Sequence, residues 1–162
     1  MDNLDLGKLQ EWIRAGRVVP NQSGVITLKE ISDSNIVGRI KHGVKLLASP
    51  RVPLTDPIMI HVSRASKSAI AAVEAAGGRV MTVYNNRLAL RALLKPHKFG
   101  AVLPRSARPK PKIAPYYLSF ENRGYLSPEM QLLTSAPHAL PESLRNATPE
   151  QVHEALYASR DE

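Results

Sequence analysis

The sequence predicts a small α/β domain over about residues 1–95, and three observations lead there. A strand–helix–strand–helix order runs from Ile58 to Leu94. Glycine and proline mark the element ends. The apolar residues recur with period two in the strands and near 3.6 in the helices. Apolar residues make up 43% of the 162 and aromatics only 5%, so the core is expected to be aliphatic.

Asn3 or Asp5 can cap a first helix whose apolar positions are Leu6, Leu9 and Ile13, with Gly16 closing it. Pro20 to Gly24 reads as a turn. Thr27-Leu28-Lys29-Glu30 has the spacing of a capping box, so a short helix is predicted from about Leu28 to Asp33. The glycine-bounded segment Gly38-Arg39-Ile40-Lys41-His42-Gly43 leads into an apolar strand, Val44 to Leu47, and Pro50, Pro53 and Pro57 mark an irregular connection. Ile58, Ile60 and Val62 alternate with Met59 and His61 as a strand does.

Ser63-Arg64-Ala65-Ser66 then opens a helix, Lys67 to Ala76, buried through Ile70 and Val73 and stopped by Gly77-Gly78. Arg79 to Tyr84 is a second strand, and Asn85-Asn86 caps a helix from Arg87 to Leu94 that Pro96 ends. The strand–helix–strand segment is long enough for a crossover, which predicts parallel pairing of the two strands. Residues 96–130 read as a proline-rich basic extension, because Pro96, Pro104, Pro109, Pro111 and Pro115 keep an extended strap from becoming helical before Tyr116-Tyr117. Residues 131–162 read as an acidic, surface-lying tail. Ser127-Pro128-Glu129 and Thr148-Pro149-Glu150 are helix starts, the second opening a short helix to about Ala158.

Charge is unevenly divided. Residues 1–74 carry ten Lys/Arg and seven Asp/Glu, residues 75–120 nine and none, and residues 121–162 three and seven. An acid-free stretch of 46 residues points to a polyanionic partner. Nucleic acid is favoured over a membrane surface, which calls for a basic amphipathic helix with large apolar anchors rather than a proline-rich strap. No run approaches the ~18–20 apolar residues of a membrane span.

Catalytic chemistry finds little support. There is no cysteine, and the five histidines, at 42, 61, 97, 138 and 153, stand singly, so no metal cluster is visible. No serine sits in a Gly-x-Ser-x-Gly context, and no phosphate loop follows Gly77-Gly78. No cofactor, catalytic residue or small-molecule substrate is expected. A small enzyme acting on an anion would show a concave pocket of converging polar groups.

Three features share one sign. Ser63, Arg64, Ser66 and Lys67 place hydroxyls and cations at a helix start, where free amides attract phosphate, although a plain helix cap explains the serines as well. Arg87, Arg91 and Lys95 recur every four residues and so lie within about 80° on one helix face. That stripe could also be a solvated surface. The strap brings Lys98, Arg105, Arg108, Lys110 and Lys112 to Tyr116, and an extended basic segment can thread between RNA helices while a tyrosine stacks on an unpaired base. The alternative there is a linker. Arg39, Lys41 and Lys45 extend the basic set upstream.

The run His61-Val62-Ser63-Arg64-Ala65-Ser66-Lys67-Ser68-Ala69-Ile70, continuing through Val73-Glu74-Ala75-Ala76-Gly77-Gly78-Arg79-Val80, resembles the C-terminal signature of the L-fifteen family of large-subunit ribosomal proteins. Gly38 to Leu47 resembles the segment just upstream in that family. The helix Asn86 to Pro96, the strap Pro104 to Pro109 with Pro115-Tyr116-Tyr117, and Glu121 to Glu129 resemble the extension of fungal mitochondrial members. The resemblance covers about residues 4–130.

It implies an L-fifteen/L-eighteen-e-like fold with a β-α-β-α core, and a structural role in the mitochondrial large subunit, in the matrix. The implied partners are large-subunit rRNA and neighbouring ribosomal proteins. A ribosome-assembly or RNA-binding factor on the same fold is the alternative. Family members usually open on a Gly/Lys/Arg-rich arm that penetrates the RNA. Met1-Asp2-Asn3-Leu4-Asp5 instead leads almost directly into the domain with no transit pattern, so the arm's RNA contacts are expected to be missing from these residues.

Overall fold

A computed structural model describes residues 1–49, 52–145 and 147–158. The expectations for Pro50 and for the last four residues of the tail lie outside them. Among the described residues six strands form two parallel sheets. In the first, β1 (Asp2–Asp5), β3 (Val44–Leu47) and β5 (Arg64–Ala65) run in the order β1-β3-β5. In the second, β2 (Val25–Ile26), β4 (Met59–Val62) and β6 (Arg79–Thr82) run in the order β2-β4-β6. The predicted parallel pairing appears as β4 beside β6, with Ile60 opposite Val80.

Expectation and structure part at three strands. β1 occupies residues read as a cap and its approach, β2 lies between the expected turn and the expected capping box, and β5 falls in a segment read as a helix start. Each has too few apolar residues to announce itself; β2 and β5 are two-residue strands on the edge of a longer one, and β1 pairs along its whole length with β3. Val44–Leu47 also joins a different sheet from its neighbour β4. The crossing occurs at Ser63, the single residue between β4 and β5. Its amide donates to the Val44 carbonyl at 3.1 Å, and its hydroxyl accepts from the Val44 amide at 3.3 Å.

The helices follow their local signals. α1 (Leu6–Arg14) is capped by Asp5, whose carboxylate accepts from the Gly7 amide at 2.8 Å. α2 (Leu28–Asp33) carries the full capping box of Thr27 and Glu30. Burial alone would raise the Glu30 pKa, but bonds from the Thr27 hydroxyl and amide bring it below the usual range. α3 (Lys67–Ala75) is capped by Ser66 and α4 (Arg87–Leu94) by Asn86, whose side-chain oxygen accepts from Ala89 at 2.7 Å. Leu4, Leu9, Ile31, Leu46, Ile60, Val73 and Val80 lie at or below 1% exposure in one aliphatic core between the sheets and α1 to α4.

Beyond a short 3-10 turn at Pro96–Lys98, residues 99–110 hold no regular element. The strap then departs from an extended path, because Pro115 sits at the start of a short helix, α5 (Ala114–Leu118). The tail is bound to the domain through apolar side chains of its own. α6 (Pro128–Ser135) and α7 (Pro149–Tyr157) bury Met130, Leu133, Leu140, Ala147 and Val152 with Met81 of β6 in a second apolar cluster. This region is fastened through Arg123, whose guanidinium is buried against Glu74 of α3 and lies 4.1 Å from the Phe120 ring.

Candidate nucleic-acid interface

The cations of the acid-free stretch divide by burial. Arg79 is half-buried, donates to the Ala147 carbonyl at 3.2 Å, and has its pKa lowered by burial. The other eight, Arg87, Arg91, Lys95, Lys98, Arg105, Arg108, Lys110 and Lys112, are all exposed. On α4 the separation is geometric. Leu90 is buried and Leu93 and Leu94 pack on the core, which turns Arg87 and Arg91 outward along one stripe, while Lys95, expected on the same face, is the exposed residue after the helix, with φ −135°. Arg91 reaches the Phe99 ring at 5.9 Å. Among the described residues, none of these eight takes part in an ion pair.

The helix-opening turn divides differently. Ser63 leaves the candidate set, because it is 4% exposed and both its hydroxyl and its carbonyl are engaged within the protein. Ser66 is the α3 cap, accepting from Ala69 at 3.2 Å and facing the Ser68 hydroxyl at 3.1 Å. Lys67 is exposed and meets Glu121 at 2.9 Å, a partner that its own segment did not reveal. That pair holds the Glu121 pKa down, yet both side chains sit in solvent and the contact is weak. Arg64 lies on β5 with its guanidinium 4.8 Å from the Tyr116 ring.

Of the tyrosine pair, Tyr117 is a core residue, 2% exposed, donating its hydroxyl to the Ser63 carbonyl at 2.9 Å. Burial raises its pKa, and Arg64 opposes the rise. Tyr84, Tyr116 and Tyr125 surround it edge-on at 5.7, 5.1 and 6.0 Å between ring centres. Tyr116 is half-buried, and its hydroxyl is held by the Ala65 backbone. Tyr125 has its pKa raised by burial and by Tyr84, against the pull of Arg108, which brings the strap back beside this aromatic group. Upstream, Arg39 and Lys41 are exposed and Lys45 is half-buried on β3.

On the outer face of the second sheet, a cavity of about 410 Å³ opens under α6, lined by Val25, Met59, His61, Arg79, Met81 and Met130 among others. Its titratable groups are His61 and Arg79, with no carboxylate on the wall. No group of three or more His, Cys, Asp or Glu that could hold a metal occurs among the described residues. No helix among them is long and apolar enough to cross a membrane.

Comparison with known proteins gives a consistent picture. A family model described as ribosomal proteins 50S-L15 and 50S-L18e, together with their 60S counterpart, matches residues 3–81. The chain is 48% identical over 96 residues to large ribosomal subunit protein uL15m of Neurospora crassa, covering 59% of this chain and 30% of that protein. It is 42% identical over 125 residues to the protein of that name in Schizosaccharomyces pombe, covering 76% and 48%. With the Danio rerio protein the identity is 32% over 139 residues, covering 82% and 46%. The chain thus spans about a third to a half of the length of these relatives.

Proposed function

From the premise that residues 3–81 of this chain belong to the ribosomal family of 50S-L15, 50S-L18e and their 60S counterpart, we propose that the protein is a structural constituent of the mitochondrial large ribosomal subunit. It binds and organises large-subunit rRNA for translation, and its other partners are neighbouring large-subunit proteins. The observation that carries this reading is the acid-free stretch, eight of whose nine cations are exposed.

The mechanism is scaffolding rather than catalysis. The α/β domain holds α4 rigidly, so Arg87, Arg91 and Lys95 meet a phosphate backbone in fixed geometry. The strap adds Lys98, Arg105, Arg108, Lys110 and Lys112 on a path a globular surface does not reach, and Arg39 and Lys41 widen the basic face. Like charges along one helix face destabilise it slightly, and phosphate neutralisation reverses that cost. Each neutralised phosphate adds roughly 0.7–0.9 to the slope of log affinity against log salt.

Binding of the full chain to large-subunit RNA fragments is measured from about 50 to 300 mM salt, where such slopes show. A steep fall is expected for the wild type, and a shallower one when Arg87, Arg91 and Lys95 are replaced together by Gln. A flat wild-type response, or no change in the triple variant, would overturn the reading. Location is tested separately, by co-sedimentation of the tagged chain with mitochondrial large subunits.

A further inference from the structure

The outer face of the first sheet holds an arrangement that the fold alone does not explain. Leu4, Leu46 and Ala65 of its three strands are buried in the core, so the residues preceding them point the other way. Those residues are in register. Asn3 pairs with Lys45, and Lys45 pairs with Arg64, which sets two cations side by side on neighbouring strands. Like charges directly opposite one another destabilise a sheet. Neither has an ion-pair partner among the described residues. Asp5, the acid on the same face of β1, is already engaged by the amides of Gly7 and Lys8.

Arg64 is also held in place. Its guanidinium packs on the Tyr116 ring, and the Tyr116 hydroxyl both accepts from the Ala65 amide and donates to the Ala65 carbonyl, each at 3.3 Å. The ring is thus positioned by the backbone of the residue next to the arginine it supports. The Arg64 Nε is closed to solvent and so to a ligand, which leaves the Nη end of the guanidinium to meet a phosphate. A guanidinium held on an aromatic ring has little rotamer freedom left to lose on binding, and its planar fork matches the oxygens of a phosphate.

We propose that Lys45 and Arg64 form a binding site for one phosphodiester group of an RNA backbone, with Tyr116 as the positioning residue. This rests on the RNA-binding reading above and narrows it to a point on the sheet. A phosphate in the row would turn the like-charge repulsion into attraction. An RNA backbone is favoured over a free anion because two cationic side chains, half-buried but not closed off, stand in register on neighbouring strands to grip the ligand.

The full-length variants Lys45→Met, Arg64→Met, Arg64→Lys and Tyr116→Leu are titrated with a large-subunit RNA fragment across the same salt range, with thermal melting alongside. Lys45→Met and Arg64→Met are expected to lose about tenfold in affinity and roughly 0.7–0.9 in salt slope each. Lys45→Met should melt at or above the wild-type temperature, because the repulsion is gone. Arg64→Lys and Tyr116→Leu should keep the slope and lose affinity, since charge remains while geometry does not.

Wild-type affinity and slope in both methionine variants, beside a steep wild-type curve, would overturn the site while leaving the RNA reading intact. So would lowered melting temperature with unchanged RNA affinity, the mark of a merely structural role. Loss of large-subunit association without loss of RNA affinity would assign the row to a protein partner and overturn it too. Displacement of RNA by inorganic phosphate beyond that by chloride of equal ionic strength would make it a free-anion site, again against the proposal. A flat wild-type curve overturns both readings together.

Discussion

Arg123 grips Glu74 with two nitrogens, Nε to Oε1 at 2.6 Å and Nη2 to Oε2 at 2.8 Å, and both side chains are nearly closed to solvent. Glu150 joins the same guanidinium at 3.2 Å from the open side. The cluster ties α3, the turn after Phe120 and α7 together. It also explains why Arg123 holds a left-handed backbone, φ +51°, normally left to glycine or asparagine.

Removing one partner of a buried pair leaves an uncompensated charge. Arg123→Met is therefore expected to lower stability by about 3–5 kcal/mol in urea denaturation. Glu150→Gln should cost less than about 1 kcal/mol, since that carboxylate is largely exposed. Arg123→Met with Glu74→Leu should recover much of the loss, because no buried charge then remains unpaired.

Gly43 has φ +97°, and a Cβ there would overlap the Ser63 hydroxyl. Gly16 has φ +70° but faces open space. Gly16→Ala is expected to cost about 1–2 kcal/mol, the backbone penalty alone. Gly43→Ala should cost clearly more, because Ser63 must also move. Comparing the two denaturation midpoints separates backbone strain from overlap.

Burial lowers the pKa of His61. The folded chain therefore keeps this imidazole neutral where the unfolded chain already takes up a proton. Its contribution to stability is present above the ordinary value of about 6.5 and is lost progressively as pH falls from there through the lowered folded value. Glu30, whose pKa is lowered, acts in a separate window at more acid pH. The expected result is a decline in stability from about pH 7 to 5 that flattens in His61→Leu, measured by denaturation at each pH.

Helix starts were the most legible part of this chain, because a cap is decided within four residues. Thr27, Ser66, Asn86, Ser127 and Thr148 all stand where their spacing predicts. The division into two sheets was not legible, because it turns on where Ser63 sends its hydrogen bonds. The tyrosine pair shows the same limit. Two adjacent aromatics after a basic strap read alike, yet one completes the core and the other faces Arg64, and only the packing of α5 decides which. The charged face of α4 was visible because its period alone puts Leu90 inward and Arg87 outward. Glu121 as the partner of Lys67 was out of reach, being 54 residues away.

A single residue, Ser63, carries the chain from one sheet into the other, and its hydrogen bonds to Val44 lie on that crossing. Neither sheet can open at this point without pulling on its neighbour. The two therefore behave as one cooperative unit. Their slowest-exchanging amides, such as Leu46 on β3 and Ile60 on β4, should open through the same global event and report one common free energy.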